Sequence, residues 1–194
     1  MVIKTLIITL TLVLLSFFLF NADLKSALNL SYGLKVSKKL TDEKFLSTDG
    51  NSYKISNFKD NYLFIYAGYT RCSTICGKSM QTLKRLSRLT NVNTKYIFLS
   101  IDKKNDNLDI IKSYLKPFGN QFYGFTKQDG NLGNLGVELA IQFSEIYFSN
   151  EYMNHTDNIY LINKEGILKM IYPSNLRNEV KILEDLNRLE NKDG

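Results

Sequence analysis

Hydrophobic positions along the chain fall into three kinds of run, and each predicts a different element. Val2 to Phe20 (VIKTLIITLTLVLLSFFLF) is apolar almost throughout, broken by Lys4 and softened by Thr9, Thr11 and Ser16. The 16 uncharged residues from Thr5 to Phe20 exceed the apolar stretch of most secretory signals. They fall slightly short of the roughly 20 that span a bilayer. Residues 1–20 are therefore expected to be a transmembrane anchor or signal sequence. The anchor is favoured, because the following NADLKSALNL has no small-x-small cleavage pattern and no cysteine for a lipid. Residues 21–43, polar and lysine-rich with little periodicity, read as a tether. The folded domain is expected over 44–194.

Within that domain the second kind of run is short and continuous. Tyr62 to Ala67 (YLFIYA) and Lys95 to Ile101 (KYIFLSI) have the composition of strands buried on both faces. Phe45-Leu46 and Tyr53 to Ile55, either side of Asp49-Gly50-Asn51, predict a hairpin with an Asp-Gly turn. Ile159 to Ile162 and Ile167 to Ile171, either side of Asn163 to Gly166, predict a second hairpin. The third kind of run repeats at helical spacing. Met80, Leu83, Leu86 and Leu89 define one helix, and Asn107 to Leu115, stopped by Pro117, a second. Leu132, Leu135, Leu139 and Phe143 place a third over Asn131 to Phe143. A last helix starts at Leu176 behind a Ser174 or Asn175 cap, with Val180, Leu183, Leu186 and Leu189 inward. The order predicts an α/β sandwich, a mixed central β-sheet flanked by helices, compatible with a thioredoxin-like domain.

Composition narrows the chemistry. The 194 residues include two Cys, one His, two Pro and no Trp, which excludes a disulfide-rich scaffold. A four-ligand zinc site built from the chain's own Cys and His is also excluded. The formal charge of +6 comes from scattered lysines with no base-reading motif. It suits an anionic lipid surface or an acidic partner rather than nucleic acid.

The two cysteines lie in Gly68-Tyr69-Thr70-Arg71-Cys72-Ser73-Thr74-Ile75-Cys76-Gly77, where the first buried strand ends and a helix begins. A helix N-terminus favours thiolate, and reactive sites favour the carboxyl ends of strands in open α/β sheets. A purely structural disulfide here would close a loop of about five residues and contribute only about 2 kcal/mol in the chain-entropy model. On a regular helix, Cβ atoms at i and i+4 are roughly 5 to 6 Å apart. A relaxed disulfide wants roughly 3.5 to 4.5 Å. The spacing thus leans toward two thiolates on one metal ion, and leaves a disulfide open if Cys72 precedes the helix. Soft thiolates select copper(I), and an added imidazole makes a site that can also hold copper(II). The one imidazole is His155, in Asn154-His155-Thr156, just ahead of the Ile159 strand; only the fold could bring it to the thiols. Met153 is a weaker thioether candidate, packing being the commoner role for a lone Met.

GYTRCSTIC, LSIDKKND (Leu99 to Asp106) and NHTDNIYLINKEG (Asn154 to Gly166), in this order, resemble the SCO/SenC family of membrane-anchored copper proteins. The resemblance runs from about Phe45 to the C-terminus. It implies a thioredoxin-like fold with Cys72, Cys76 and His155 as copper ligands. It also implies a role in assembling the copper A centre of cytochrome c oxidase, by copper delivery or by keeping the target's cysteines reduced. Asp102 and Asp106 match the family's acidic positions, with a structural or partner-binding role. The chain departs from the family at Ser73 and Gly77, where proline usually follows each cysteine, and at Arg71, where an aromatic residue or His is common. Gly77, a poor helix former, is expected to loosen the pair and lower copper affinity.

The reading is a membrane-anchored, monomeric copper metallochaperone whose partner is the copper A subunit of cytochrome c oxidase or another copper protein. It is placed at the bacterial inner membrane with its domain in the periplasm; the alternative is the mitochondrial inner membrane, facing the intermembrane space. The metallochaperone is not read as an enzyme; the alternative function is a dedicated thiol–disulfide oxidoreductase using Cys72 and Cys76. Against a general reductase stands the lack of a CxxC pair and of a proline just before Ile159. A peroxidase is a third, weaker reading, because the proline and threonine expected ahead of the reactive cysteine are missing.

Overall fold

The computed structural model describes residues 7, 9–19, 31–72, 75–127, 132–145 and 153–193. The chain divides into two units, Met1–Tyr32 and Gly33–Gly194. In the first, residues 9–19 are helical and their apolar side chains, Leu10 through Leu19, are exposed. The hydroxyls of Thr11 and Ser16 donate back to the carbonyls of Ile7 (3.1 Å) and Val13 (2.9 Å). Among the described residues no helix is long and apolar enough to cross a membrane. Residues 1–6, 8 and 20 of the expected anchor, and 21–30 of the expected tether, lie outside those described.

The second unit begins with a strand that the sequence reading assigned to the tether. β1 (Leu34–Lys39) is followed by β2 (Phe45–Ser47), β3 (Ser52–Tyr53), a 3-10 turn at Ile55–Phe58, and β4 (Tyr62–Gly68). Then come α1 (Ile75–Leu89), β5 (Thr94–Ser100), α2 (Leu108–Leu115), β6 (Phe122–Thr126) and α3 (Gly133–Glu138). The last elements are β7 (Phe143–Glu145), β8 (Met153–His155), β9 (Asn158–Ile162), β10 (Ile167–Pro173) and α4 (Glu179–Asp193). Eight strands form one sheet in the order β1-β10-β9-β4-β5-β6-β2-β3, and β7 and β8 pair separately. β4, β5 and β6 run parallel; β9 pairs antiparallel to β4, and β2 to β6. The mixed sheet with flanking helices is the architecture the hydrophobic pattern predicts.

Local chemistry explains most elements. Every residue of β4 is buried, as a strand covered on both faces must be. The β2–β3 hairpin turns at Gly50 (φ 85°), and Asp49 accepts from the backbone N–H of Asn51 (2.9 Å) and the hydroxyl of Tyr53 (2.7 Å). α2 is capped by Asn107, whose side chain accepts from the backbone N–H of Ile110 at 2.9 Å. α1 and α4 meet through Glu179, which accepts from Arg85 Nε at 2.6 Å.

Four expectations are corrected. β1 is mostly exposed, so it carries no apolar signature; its place comes from antiparallel pairing with β10, which moves the start of the folded unit from residue 44 to Gly33. The helix expected over Asn131 to Phe143 is only α3. Its end is set by the C-cap at Leu139 and a left-handed Ala140 (φ 50°), and Phe143 belongs to β7. α4 starts three residues later than expected: Asn178 caps it by accepting from the backbone N–H of Lys181 (3.1 Å). Its buried stripe is Ile182, Asp185, Leu186 and Leu189, with Val180 exposed, and on α1 Leu89 is exposed as well. β6 was not anticipated, because Gly124 interrupts its apolar run; a Cβ there would lie 2.4 Å from Ile111 and 2.9 Å from Leu115, so glycine lets α2 seat on the strand.

Candidate metal centre

Cys72 lies in the loop after β4 and Cys76 in the first turn of α1; both are buried free thiols. The loop is a tight turn, with the N–H of Cys72 donating to Tyr69 O at 3.2 Å. It is clamped from the segment after β5. Asp106 accepts from the backbone N–H of Thr70 (3.1 Å), the hydroxyl of Thr70 (2.5 Å) and that of Ser100 (2.7 Å). Asp102 pairs with Arg71 at 3.2 Å and accepts from the amide of Asn105 at 2.9 Å. These two buried carboxylates thus fix the approach to Cys72.

His155 arrives from the other sheet. It closes β8, opposite Phe143 of β7, and the ladder continues as the N–H of Thr156 donates to Gln142 O at 2.9 Å. The imidazole packs edge-on against Tyr69 (centroids 5.7 Å) and Tyr66 (6.4 Å). Its Nδ1 lies 3.0 Å from the carbonyl of Thr156, which can only accept, so Nδ1 carries the proton and Nε2 presents a lone pair. That lone pair faces Cys76 Sγ at 3.2 Å. The backbone N–H of Cys76 in turn donates to Cys72 Sγ at 3.4 Å. The three ligand atoms of Cys72, Cys76 and His155 lie within 4.8 Å of one another. With metal–sulfur bonds of about 2.3 Å and metal–nitrogen bonds of about 2.0 Å, that spacing accommodates one ion.

Burial, with the Cys72 sulfur beside it, pushes the Cys76 thiol up to about 12, so without metal it is a thiol at neutral pH. Gly68 is what lets Cys76 in: a Cβ there would sit 3.1 Å from Cys76 Sγ and 2.9 Å from Tyr66 Cε1. Ser73 and the side chain of Met153 lie outside the described residues. Gly77 lies in α1 with open space where a Cβ would go, so Gly77→Ala should raise stability by about 0.5–1 kcal/mol in a urea titration. A destabilised Gly77→Ala would show that glycine is needed there.

Further groups complete the site that the sequence reading did not single out. Asp157, two residues after His155, accepts from the Ser79 hydroxyl at 2.7 Å and pairs with Arg177 at 3.3 Å, tying the histidine segment to α1 and to the turn before α4. Tyr66 is fully buried in β4. Burial, with the Cys76 sulfur and Asp157 carboxylate beside it, holds its phenol far above the usual tyrosine range.

Two thiols at a strand–helix junction, completed by an imidazole from a distant hairpin on a thioredoxin-like sheet, define a class of thiol–imidazole proteins suited to soft metals. The chain belongs to the SCO1/SenC family, whose model matches residues 36–191. It is 25% identical over 139 residues to a SCO2-like protein of Rickettsia conorii, covering 68% of each chain. The apo Sco1 protein of Thermus thermophilus shares the fold with a TM-score of 0.71 at 23% identity, over 82% of this chain and 97% of that one. Arabidopsis thaliana ScoI with copper bound does so with a TM-score of 0.66 at 17% identity, over 79% of this chain and 98% of that one.

Proposed function

We propose that the chain is a membrane-anchored copper metallochaperone that holds one copper ion on Cys72, Cys76 and His155 and hands it to the copper A subunit of cytochrome c oxidase. The observation that carries this reading is the convergence of two sulfurs and an imidazole lone pair within 4.8 Å. Copper is cargo here, and the chain's part is to bind and release it. The buried thiols give up their protons as they bind the ion. His155 is held in the ligating tautomer by its bond to Thr156. A relative solved with copper bound supports the choice of metal. Residues 1–20 are read as the anchor. The exposed apolar helical run at 9–19, in which the Thr11 and Ser16 hydroxyls are satisfied within the helix, supports that reading; the domain is read as lying in the bacterial periplasm.

The test is an anaerobic titration of the reduced full chain with copper(I) and then copper(II), beside Cys72→Ser and His155→Ala. One ion per chain is expected, lost in Cys72→Ser and with copper(II) affinity at least about tenfold lower in His155→Ala. Binding no better than in the variants removes the reading. The second reading, a thiol–disulfide oxidoreductase for a partner's copper-ligand cysteines, is favoured by Cys72 Sγ accepting from the Cys76 N–H. A Cys72/Cys76 potential too low for oxidation in its compartment would remove that one.

A further inference from the structure

The Tyr66 hydroxyl is a buried polar atom with no hydrogen-bond partner. Native structures rarely leave such a group unpaired, and an orphan next to a site is a reason to ask what it awaits. Its position is well defined. Tyr66 Cε1, adjacent to the carbon that carries the hydroxyl, and Cys76 Sγ lie 2.9 Å and 3.1 Å from one point, the place of the missing Cβ of Gly68. The ring also lies edge-on to the imidazole of His155. Its other polar neighbour, Asp157, has Oδ1 committed to Ser79 and Arg177. Cys76 Sγ and the Asp157 carboxylate are the polar groups beside the hydroxyl, and neither meets it in hydrogen-bonding geometry. A metal-bound sulfur is a thiolate, and a thiolate accepts well.

We infer that Tyr66 is a positioning residue of the metal site: its O–H donates a hydrogen bond to the Cys76 sulfur once that sulfur binds copper. The inference rests on the copper reading above. Its physical effect is on the metal's electronics rather than on holding the fold. A hydrogen bond to a ligating sulfur draws electron density from it and favours the reduced ion, as hydrogen bonding around the sulfur does in other copper–thiolate sites. Gly68 contributes by keeping the space between ring and sulfur free.

Tyr66→Phe in the full chain tests this. The metal-free variant should melt at the same temperature as wild type or higher, since it loses only an unpartnered hydroxyl. With copper bound, the ratio of copper(I) to copper(II) affinity should fall about tenfold, which is a copper(II)/copper(I) potential lower by about 59 mV. The sulfur-to-copper(II) charge-transfer band should move to lower energy. Should Tyr66→Phe fail to fold, 3-fluorotyrosine installed at position 66, a stronger donor, should raise the potential instead. An unchanged potential and band in a variant that binds copper would overturn the hydrogen bond alone. A metal-free variant markedly less stable than wild type would also overturn it, by showing that the hydroxyl is already paired. Absence of copper binding by the wild-type chain would overturn both this bond and the reading on which it rests.

Discussion

Cys76→Ser is expected to lower copper(I) affinity by at least about a hundredfold while leaving the fold in place. A structural metal site of four ligands is worth roughly 10–16 kcal/mol, or about 3 kcal/mol for each, and 1.4 kcal/mol is tenfold in affinity. Serine supplies no thiolate, and its hard oxygen is a poor match for copper(I). The fold should tolerate the change, because a serine hydroxyl can still donate to the Nε2 lone pair of His155 that Cys76 Sγ now faces at 3.2 Å. Competition against a chromophoric copper(I) chelator gives the affinity, and circular dichroism reports the fold. An affinity within tenfold of wild type would mean that copper is held elsewhere.

The metal-free chain is also expected to be labile to alkali. Unfolded, Cys76 titrates near 9.0 and Tyr96 and Tyr160 near 10.0; in the fold burial pushes each up to about 12. Between those values the unfolded chain has released protons that the folded chain retains, so stability falls as pH rises. The contribution is complete below about pH 9 and is lost progressively as pH climbs toward 12. At about 1.36 kcal/mol per unit, Cys76 alone accounts for about 4 kcal/mol of loss and each tyrosine for about 3. Against a typical total of about 5–15 kcal/mol, that is enough to unfold the domain. Urea titrations at pH 7, 9 and 10.5 should show a midpoint that holds from 7 to about 9 and is clearly lower at 10.5, with the earliest part of the fall missing in Cys76→Ser. A flat midpoint across that range would contradict the burial of these groups.

How much of this was legible in the sequence depends on whether the signal was local. β4 and β5 are continuous apolar runs because both their faces are covered, and Met80, Leu83 and Leu86 mark the inner face of α1; each element could be read from its own residues. β1 could not, since its exposed residues are strand only by pairing with β10. The spacing from Leu139 to Phe143 fits a helix as well as a chain that turns at Ala140 and re-emerges as β7; the left-handed turn decides, and no periodicity reports it. The cysteine pair was visible as a motif. His155 was visible as the lone imidazole and through the family resemblance. Tyr66, Asp157, Ser79 and Arg177 were not, because their contacts join segments far apart in the chain.

The clamp on the cysteine loop bears on how this chain could drift from its relatives. Among the described residues, the Cys72 loop is held from upstream and from across the sheet, by Thr70 and Arg71 to Asp106 and Asp102 and by the Cys72 N–H to Tyr69, and its sulfur also accepts from the Cys76 N–H. None of these bonds draws on residue 77, a glycine with open space where a Cβ would go. The identity of residue 77 is thereby uncoupled from where the first sulfur sits, which leaves glycine free to stand where the family usually keeps proline. Selection at that position can then act separately from the geometry that places the first sulfur.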